Sequence, residues 1–272
     1  MTGTMKKSNS LPDAFPDIRK SARLRLLRLY HEAGSGHIGG SLSCLDALLT
    51  LHHAAMSDED RFLLSKGHSA GALYVTLWSL GLLSDERMST FTRENTLLPG
   101  HPSGKGIPGL LFPTGSLGHG PSLAAGLALA LRHKGGTGRV FCLCSDGEWQ
   151  EGSCWEALIF AVSQGLDNLC ILVDQNGLQG FGTTLEVARV SDLAPRFKAF
   201  GASVVSVEGH APEAILHALA AGESGRPHIV VLHTHKGLGL HFEDKLESHY
   251  LPLTDEQYAK GVQRIHAEEG IA

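Results

Sequence analysis

Short apolar runs alternate along the chain with stretches of helical periodicity. Four runs have the length and composition of buried strands: RVFCLCS, LCILVD, ASVVSV and HIVVLHT, which begin at Arg139, Leu169, Ala202 and His228. Between them lie segments with apolar residues at helical spacing, such as CWEALIFAVSQG and APEAILHALAAG. Strands that alternate with helices of this length predict an α/β fold with a mainly parallel sheet and helices on both faces.

The N-terminal half contains further helical patterns and a long irregular segment. Residues 1–17 are polar and interrupted by prolines, which predicts a flexible arm before a folded domain over residues 18–272. The stretch from Ile18 to Ala33 predicts an amphipathic helix, and its arginines are expected to contact phosphate or, preferably, to face solvent or a partner. Residues 92–120 are rich in Gly and Pro and predict an ordered loop that carries function.

Composition narrows the class of protein. The chain has 272 residues, of which 42% are hydrophobic, and its formal net charge is −5, so no basic field points to nucleic acid or an anionic membrane. No apolar run reaches the about 18 residues of a membrane helix, and the N-terminus lacks the apolar core of a secretory signal. We therefore expect a cytoplasmic protein that binds neither nucleic acid nor a membrane. Its five cysteines lack CxxC spacing and are expected to be buried free thiols.

Two glycine patterns resemble nucleotide-binding motifs but lack the required context. Gly34–Gly39 and Gly104–Gly109 both match GxGxxG. A dinucleotide fingerprint needs a strand before it and a helix after it, whereas the first match follows a predicted helix and the second lies in a loop with proline. The form GxxxxGK[ST] is absent from the sequence. These observations argue against a nicotinamide site and a P-loop.

Two polar residues follow neighbouring predicted strands. Asp146 comes directly after one strand and Asn176 lies just after the next, so a right-handed crossover brings both to the same edge of the sheet. A carboxylate, an amide oxygen and a nearby main-chain carbonyl form an oxygen-only site that suits Mg²⁺. The alternative is that Asp146 caps the following helix and Asn176 supports a turn.

Around these residues the chain resembles transketolases. Asp-Gly followed by Asn is similar to the thiamine diphosphate motif, and further segments occur in the family's order. They are AGSGHIG (33–39), DRFLLSKGHSAGALY (60–74), GHP (100–102), TGSLGHG (114–120), DGEWQEG (146–152), DQNGLQ (174–179) and KGLGLHFEDKLESH (236–249). The resemblance covers roughly residues 18 to 265 and implies a thiamine diphosphate-binding domain.

The resemblance also implies roles for individual residues. Asp146, Asn176 and the main-chain carbonyl of Leu178 would bind Mg²⁺, or alternatively Ca²⁺, which bridges them to the cofactor diphosphate. The implied contacts of thiamine diphosphate are Lys66, His68, Gly115, Ser116, Leu117, Asp146, Gly147, Glu148, Asn176, Lys236 and His249. The implied catalytic residues, which hold substrate hydroxyls and relay protons, are His37, His68, His101 and His249. Imidazole suits this work because its unperturbed pKa lies near neutral.

The sequence departs from the family pattern at several positions. Ser145 stands where the motif usually has Gly, and this small residue crowds the turn without removing a ligand. His119 stands where the family commonly has Gln, and Tyr250 stands where it usually has Gly after a Trp-His pair. His235 and His241 match no established role.

The resemblance implies a two-component enzyme. In the family, a Glu on a second domain contacts the aminopyrimidine ring, and residues after Gly261 are too few to form such a domain. We expect an N-terminal subunit that works with a separate pyrimidine-binding chain in a heterotetramer with two copies of each. The expected reaction is transfer of a two-carbon ketol unit from a ketose phosphate to an aldose. Alternatives are a deoxyxylulose-phosphate-synthase-like enzyme, a 2-oxoacid dehydrogenase α-subunit, or a non-catalytic scaffold.

Overall fold

A parallel sheet organises the chain in a computed structural model that describes residues 10–104, 106–189 and 192–267. The strands are β1 (Arg61–Leu64), β2 (Val140–Ser145), β3 (Leu169–Gln175), β4 (Leu178–Gln179), β5 (Gly182–Thr183), β6 (Ser203–Glu208) and β7 (His228–His233). Five of them form the main sheet in the order β1-β2-β3-β7-β6, with every pair parallel. The other two form a short antiparallel hairpin. The predicted α/β class is confirmed.

The helices cover both faces of the sheet. They are α1 (Phe15–Ala33), α2 (Ile38–Thr50), α3 (Ala70–Ser79), α4 (Asp85–Met88), α5 (Gly120–His133), α6 (Gly152–Ser163), α7 (Thr184–Ala188), α8 (Leu193–Ala199), α9 (Pro212–Ala220), α10 (Glu247–Tyr250) and α11 (Asp255–Ala267). Alternate residues of β2 belong to two separate cores: Phe141 and Leu143 pack with α1, α2 and α3, while Val140 and Cys142 pack with α5 and α6. A strand buried on both faces explains the continuous apolar runs in the sequence.

The strand β1 was not predicted. Its four residues, Arg61–Leu64, pair in register with Val140 to Leu143 of β2. The run is too short to be separated from its neighbours by periodicity alone. Its carboxyl end leads into the segment that carries Lys66 and His68, so β1 positions part of the site.

The boundary of the predicted N-terminal arm is wrong. Helix α1 begins at Phe15, whose side chain is buried against the core, so residues 15–17 belong to the folded domain and not to the arm. Pro16 occupies the first turn of the helix, where its missing N–H has no intrahelical acceptor to lose. Residues 1–9 lie outside the described residues.

The arginines of α1 do not form the solvated or partner-facing side expected from the sequence. Arg19 and Arg23 both reach the carboxylate of Asp46, which is 1% exposed inside α2. Arg25 lies over the ring of Trp78, 5.3 Å from its centroid. The polar stripe of α1 therefore covers a buried acid that the sequence alone did not pair with it.

Other features agree with the sequence analysis. The segment between α4 and α5 contains neither helix nor strand in its described residues and carries His101. All five cysteines are free and buried, as predicted. Within the described part of the chain, no helix is both long and apolar enough to cross a bilayer.

Candidate active site

Asp146 and Asn176 meet at the carboxyl edge of the sheet, as the crossover argument predicted. Asp146 follows β2 directly, and its amide donates to the carbonyl oxygen of Asp174 in β3 at 3.1 Å. The Asp146 carboxylate accepts the amide hydrogens of Gly147 at 2.8 Å and Gly177 at 2.6 Å. The first of these bonds is the capping contact considered as an alternative, so Asp146 caps the turn and also faces Asn176. Burial and the neighbouring Asp174 raise the pKa of Asp146 to about 6.

The three predicted ligand atoms for a metal ion are all oxygens with spare lone pairs. The side-chain oxygen of Asn176 accepts only the Leu178 amide hydrogen, at 3.1 Å, among the contacts of the described residues. The Leu178 carbonyl accepts Lys236 Nζ at 3.2 Å. A carboxylate, an amide oxygen and a carbonyl are the hard donors that Mg²⁺ or Ca²⁺ takes, so the residues present fit such an ion.

Lys236 links this oxygen cluster to a group of histidines. Its Nζ lies 3.2 Å from the Leu178 carbonyl oxygen and 3.0 Å from Nδ1 of His249. Burial and the nearby Lys66 ammonium lower the pKa of Lys236 to about 8. Burial and the charge on Lys236 lower the pKa of His249 to about 3, so its Nδ1 is a neutral acceptor for the lysine.

The four histidines predicted to be catalytic lie together around the ring of His37. Ring centroids are separated by 4.9 Å between His37 and His249, and by 5.9 Å from His37 to both His68 and His101. Burial is the main reason that the pKa of His37, His68 and His101 lies below its ordinary value. At neutral pH all four imidazoles are uncharged, so each ring offers one donor and one acceptor nitrogen.

His37 is held in an unusual backbone conformation. It has φ of 70°, in the left-handed region, and its amide donates to the carbonyl oxygen of His249 at 2.9 Å. The Nδ1 atom of His37 is buried and has no hydrogen-bond partner among the described residues. Strained backbone and an unsatisfied buried polar atom are features that collect at binding sites.

Lys66 is buried beneath the edge and pairs with Asp174. Its ammonium donates to the Asp174 carboxylate and to the carbonyl oxygen of Gly40. Ser43 and Thr234 also donate to Asp174. Burial disfavours charge on both partners, but their mutual attraction raises the pKa of Lys66 and lowers that of Asp174. The sequence analysis assigned Lys66 to the diphosphate and gave Asp174 no role, although Asp174 lies in the DQNGLQ segment.

Glu148 makes its hydrogen bonds inside the protein. Its carboxylate accepts from the Ser65 hydroxyl, from the Gly118 amide at 2.8 Å and from the Ser145 amide at 3.3 Å. These contacts join the ends of β1 and β2 to the loop before α5. The structure thus gives Glu148 a part in holding that loop, while its predicted cofactor contact stays a prediction.

The loop of Gly115, Ser116 and Leu117 lies beside His101 and the turn after β1. A Cβ on Gly115 would lie 3.3 Å from the His101 ring, and a Cβ on Gly67 would lie 2.8 Å from the Gly115 amide nitrogen. Gly115 also has φ of 154°, which favours glycine. Ser116 is exposed and Leu117 is half-buried, so both are accessible at the rim.

The histidines without an assigned role lie outside the cluster. His119 is exposed at the start of α5, and His241 contacts Gln257 of α11 at 2.9 Å. His235 contacts the Asp244 carboxylate at 2.7 Å, and this hydrogen bond raises its pKa. None of these contacts reaches the four clustered rings.

Comparison with known proteins identifies the family. Residues 18–269 match the family described as transketolase, thiamine diphosphate binding domain. One of the two subunits named for apulose-4-phosphate transketolase, from Phocaeicola vulgatus, is 36% identical over 255 residues, which cover 89% of this chain and 90% of that protein. The 6-deoxy-6-sulfo-D-fructose transketolase subunit of a Clostridium species is 37% identical over 247 residues, which cover 86% and 90%.

A solved structure extends this likeness to the fold. The transketolase of Leishmania mexicana has a TM-score of 0.85 and 26% identity over 96% of this chain. The match spans 42% of the length of that longer protein. This chain therefore belongs to the transketolase family and carries its thiamine diphosphate binding domain.

Proposed function

We propose that this chain is the thiamine diphosphate-binding subunit of a two-component transketolase. The observation that carries the proposal is Lys236, which joins the oxygen cluster at Leu178 to the histidine cluster at His249. A cationic side chain between a hard-metal site and neutral imidazoles suits a ligand with a diphosphate at one end and a reacting carbon at the other.

The residues of this chain would hold the cofactor at its diphosphate end. When bound, thiamine diphosphate supplies the chemistry that cleaves and forms the carbon-carbon bond. Asp146, Asn176 and the Leu178 carbonyl would bind Mg²⁺ or Ca²⁺, and the metal ion would neutralise the phosphate charge. The ammonium of Lys236 would add a further positive charge next to the same phosphates.

The histidine cluster would handle substrate hydroxyls and protons. Because the four rings are neutral, each can accept a proton at one nitrogen while the other donates a hydrogen bond. The unsatisfied Nδ1 of His37 is the most direct place for a substrate hydroxyl, since such a contact supplies the missing partner.

A partner chain is part of this proposal. Both relatives described above are named as transketolase subunits. Beside the site, the hairpin and α7 expose three large apolar side chains, Phe181, Leu185 and Val187, of which Phe181 is 89% exposed. An exposed apolar group next to an active site suits a docking surface for a second polypeptide. We infer a heterotetramer with two copies of each chain and, from the five free buried thiols, a reducing compartment such as the cytoplasm.

The proposed reaction moves a two-carbon ketol unit from a ketose phosphate, or a related ketose, to an aldose. The relatives are named for apulose-4-phosphate and for 6-deoxy-6-sulfo-D-fructose, which are sugars with an anionic group. Neutral histidines at the hydroxyl-binding end leave recognition of that anion to residues outside the cluster.

The test combines binding and turnover. This chain is purified together with each candidate partner, and calorimetry measures thiamine diphosphate binding with and without Mg²⁺. Two-carbon transfer from a ketose phosphate is then assayed, with pyruvate as the donor that a synthase-like or 2-oxoacid enzyme would use. We expect metal-dependent binding and transfer from the ketose alone. Turnover of pyruvate would favour the other thiamine enzymes, and binding without turnover in every assembly would favour a scaffold.

A further inference from the structure

His210 contacts the loop that carries Lys236 although it lies away from the cofactor edge. It follows β6, and its side chain is 10% exposed. Its Nδ1 lies 3.1 Å from the Asp46 carboxylate in α2, and its Nε2 accepts the amide hydrogen of His235 at 2.9 Å. The ring thus connects a core helix to the segment that leaves β7.

Asp46 is a charged group inside the core. Arg19 donates to its two oxygens at 2.6 Å and 3.0 Å, and Arg23 donates at 3.3 Å. Burial alone would raise the pKa of Asp46, but the hydrogen bonds from His210 and Arg19 hold it well below its ordinary range. Asp46 is therefore a carboxylate, which can only accept hydrogen bonds.

These two partners decide which nitrogen of His210 carries the hydrogen. Because Asp46 only accepts, Nδ1 of His210 must be the donor. Because the His235 amide only donates, Nε2 must present its lone pair. The contacts therefore select the neutral Nδ1–H tautomer of His210, as a second partner commonly does for a histidine with a defined role.

The backbone next to Lys236 is held from two sides. His210 binds the His235 amide on one side, while the Asp244 carboxylate accepts the Lys236 amide hydrogen at 2.9 Å on the other. From this backbone the Lys236 side chain reaches Leu178 and His249. A shift of the 235–236 peptide would move the ammonium away from both.

We propose that His210 is a positioning residue for Lys236, acting through the hydrogen bond from the His235 amide to a ring nitrogen whose tautomer Asp46 selects. The inference rests on the proposed function, because that function gives Lys236 its place beside the diphosphate. It adds a residue that touches neither the metal ligands nor the four clustered histidines.

Two substitutions separate the two hydrogen bonds of the ring. The His210→Gln variant places an oxygen acceptor near the position of Nε2 and loses the donor to Asp46. His210→Asn places a donor near the position of Nδ1 and loses the acceptor for His235. His217→Asn in α9 is the matched control, because His217 is exposed.

The variants are compared in the enzyme assembled with its partner chain. For His210→Asn we expect the Kd of thiamine diphosphate in saturating Mg²⁺ to rise about fivefold to tenfold, with the ketose KM within twofold. For His210→Gln we expect a Kd within twofold but a larger drop in melting temperature, since buried Asp46 loses a donor. This opposite ranking is what positioning predicts. A purely structural role would rank the variants alike in both measurements, and that result would overturn the proposal.

Measurements on the full chain without its partner test the geometry independently of activity. Long-range ¹H–¹⁵N spectra should show His210 protonated at Nδ1 and bare at Nε2, and residues 234–237 should exchange amide hydrogens faster in His210→Asn than in wild type. A ring protonated at Nε2, or unchanged exchange, would refute the inference. If the wild-type assembly binds no thiamine diphosphate, the proposed function fails, while spectra and exchange still decide whether His210 holds this backbone.

Discussion

The two ends of the sheet bury imidazole in opposite ways. At the amino end, His228 begins β7, and its ring nitrogens contact the Ala218 carbonyl at 2.8 Å and the Ser203 hydroxyl at 3.3 Å. At the carboxyl edge, Nδ1 of His37 is equally hidden but lacks a partner among the described residues. Since buried polar atoms are normally satisfied, the amino end is complete as a folded chain, whereas the carboxyl edge is built to receive a ligand.

The strongest test of this contrast compares two buried aspartates. Asp146→Ala removes a proposed metal ligand, and we expect thiamine diphosphate affinity in the assembled enzyme to fall by more than about 100-fold. At the amino end, Asp60 accepts amide hydrogens from Ser57 and Arg139. Asp60→Ala should leave the affinity within twofold and lower the free energy of unfolding by about 1–3 kcal/mol. Calorimetry and denaturant unfolding measure the two quantities, and equal affinity losses would remove the metal assignment.

The histidine pair gives the next largest difference. His37→Ala should reduce kcat about 100-fold through loss of a proton-handling group. Its free energy of unfolding should change little, because the substitution also removes an unsatisfied buried nitrogen. His228→Ala should lower the free energy of unfolding by about 2 kcal/mol and leave kcat intact. Steady-state kinetics with thermal unfolding of both variants decides the matter; wild-type kinetics in His37→Ala would contradict the substrate role.

A glycine pair compares close packing at the site with open surface elsewhere. A Cβ on Gly36 would lie 2.4 Å from the Tyr250 carbonyl oxygen, whereas a Cβ on Gly126 in α5 meets nothing within 4 Å. Gly36→Ala should therefore push the segment that carries His249 outward and cost about 1–3 kcal/mol of folding stability. Gly126→Ala should stabilise by up to about 1 kcal/mol. Equal melting temperatures for the two variants would show that the 248–250 segment yields freely.

The smallest expected effect is a pH dependence at the amino end. His52 is buried against Phe62, and burial lowers its pKa from 6.5 to about 4. Because the unfolded state binds the proton more readily, this group stabilises the fold fully above pH 6.5 and progressively less down to pH 4. Between pH 7 and 5.5 its contribution should fall by about 1 kcal/mol. Unfolding of His52→Gln, with exposed His133→Gln as control, should show that much less pH dependence; identical slopes would contradict it.

The sequence predicted the carboxyl edge well because its signals are local. Asp146 and Asn176 follow apolar runs directly, and parallel strands must bring such ends together. The histidines His37, His68 and His101 stand in separate segments, and only the family resemblance joined them. The strand β1 was missed because RFLL is too short to show a period.

The positioning contacts could not be predicted because their partners are distant in sequence. Lys66 and Asp174 are 108 residues apart, and Asp46 and His210 are 164 apart. One local signal existed: Asp46 is the single charged residue within the apolar helix IGGSLSCLDALLT. A buried acid requires donors, so this pattern calls for cationic partners, which the neighbouring helix supplies through Arg19 and Arg23.

The strand order has a consequence for the newly made chain. β7 lies between β3 and β6 in the sheet, although it is the last of the five to be synthesised. Roughly fifty residues separate the end of β3 from the start of β7, so at 5–20 residues per second the bonding edge of β3 waits about 3–10 s for its neighbour. During that interval an apolar strand with unpaired amides is open to another nascent chain. Asp146 and Asn176 are already made while Lys236 is not, so the metal-binding edge is the last part of the molecule to become native.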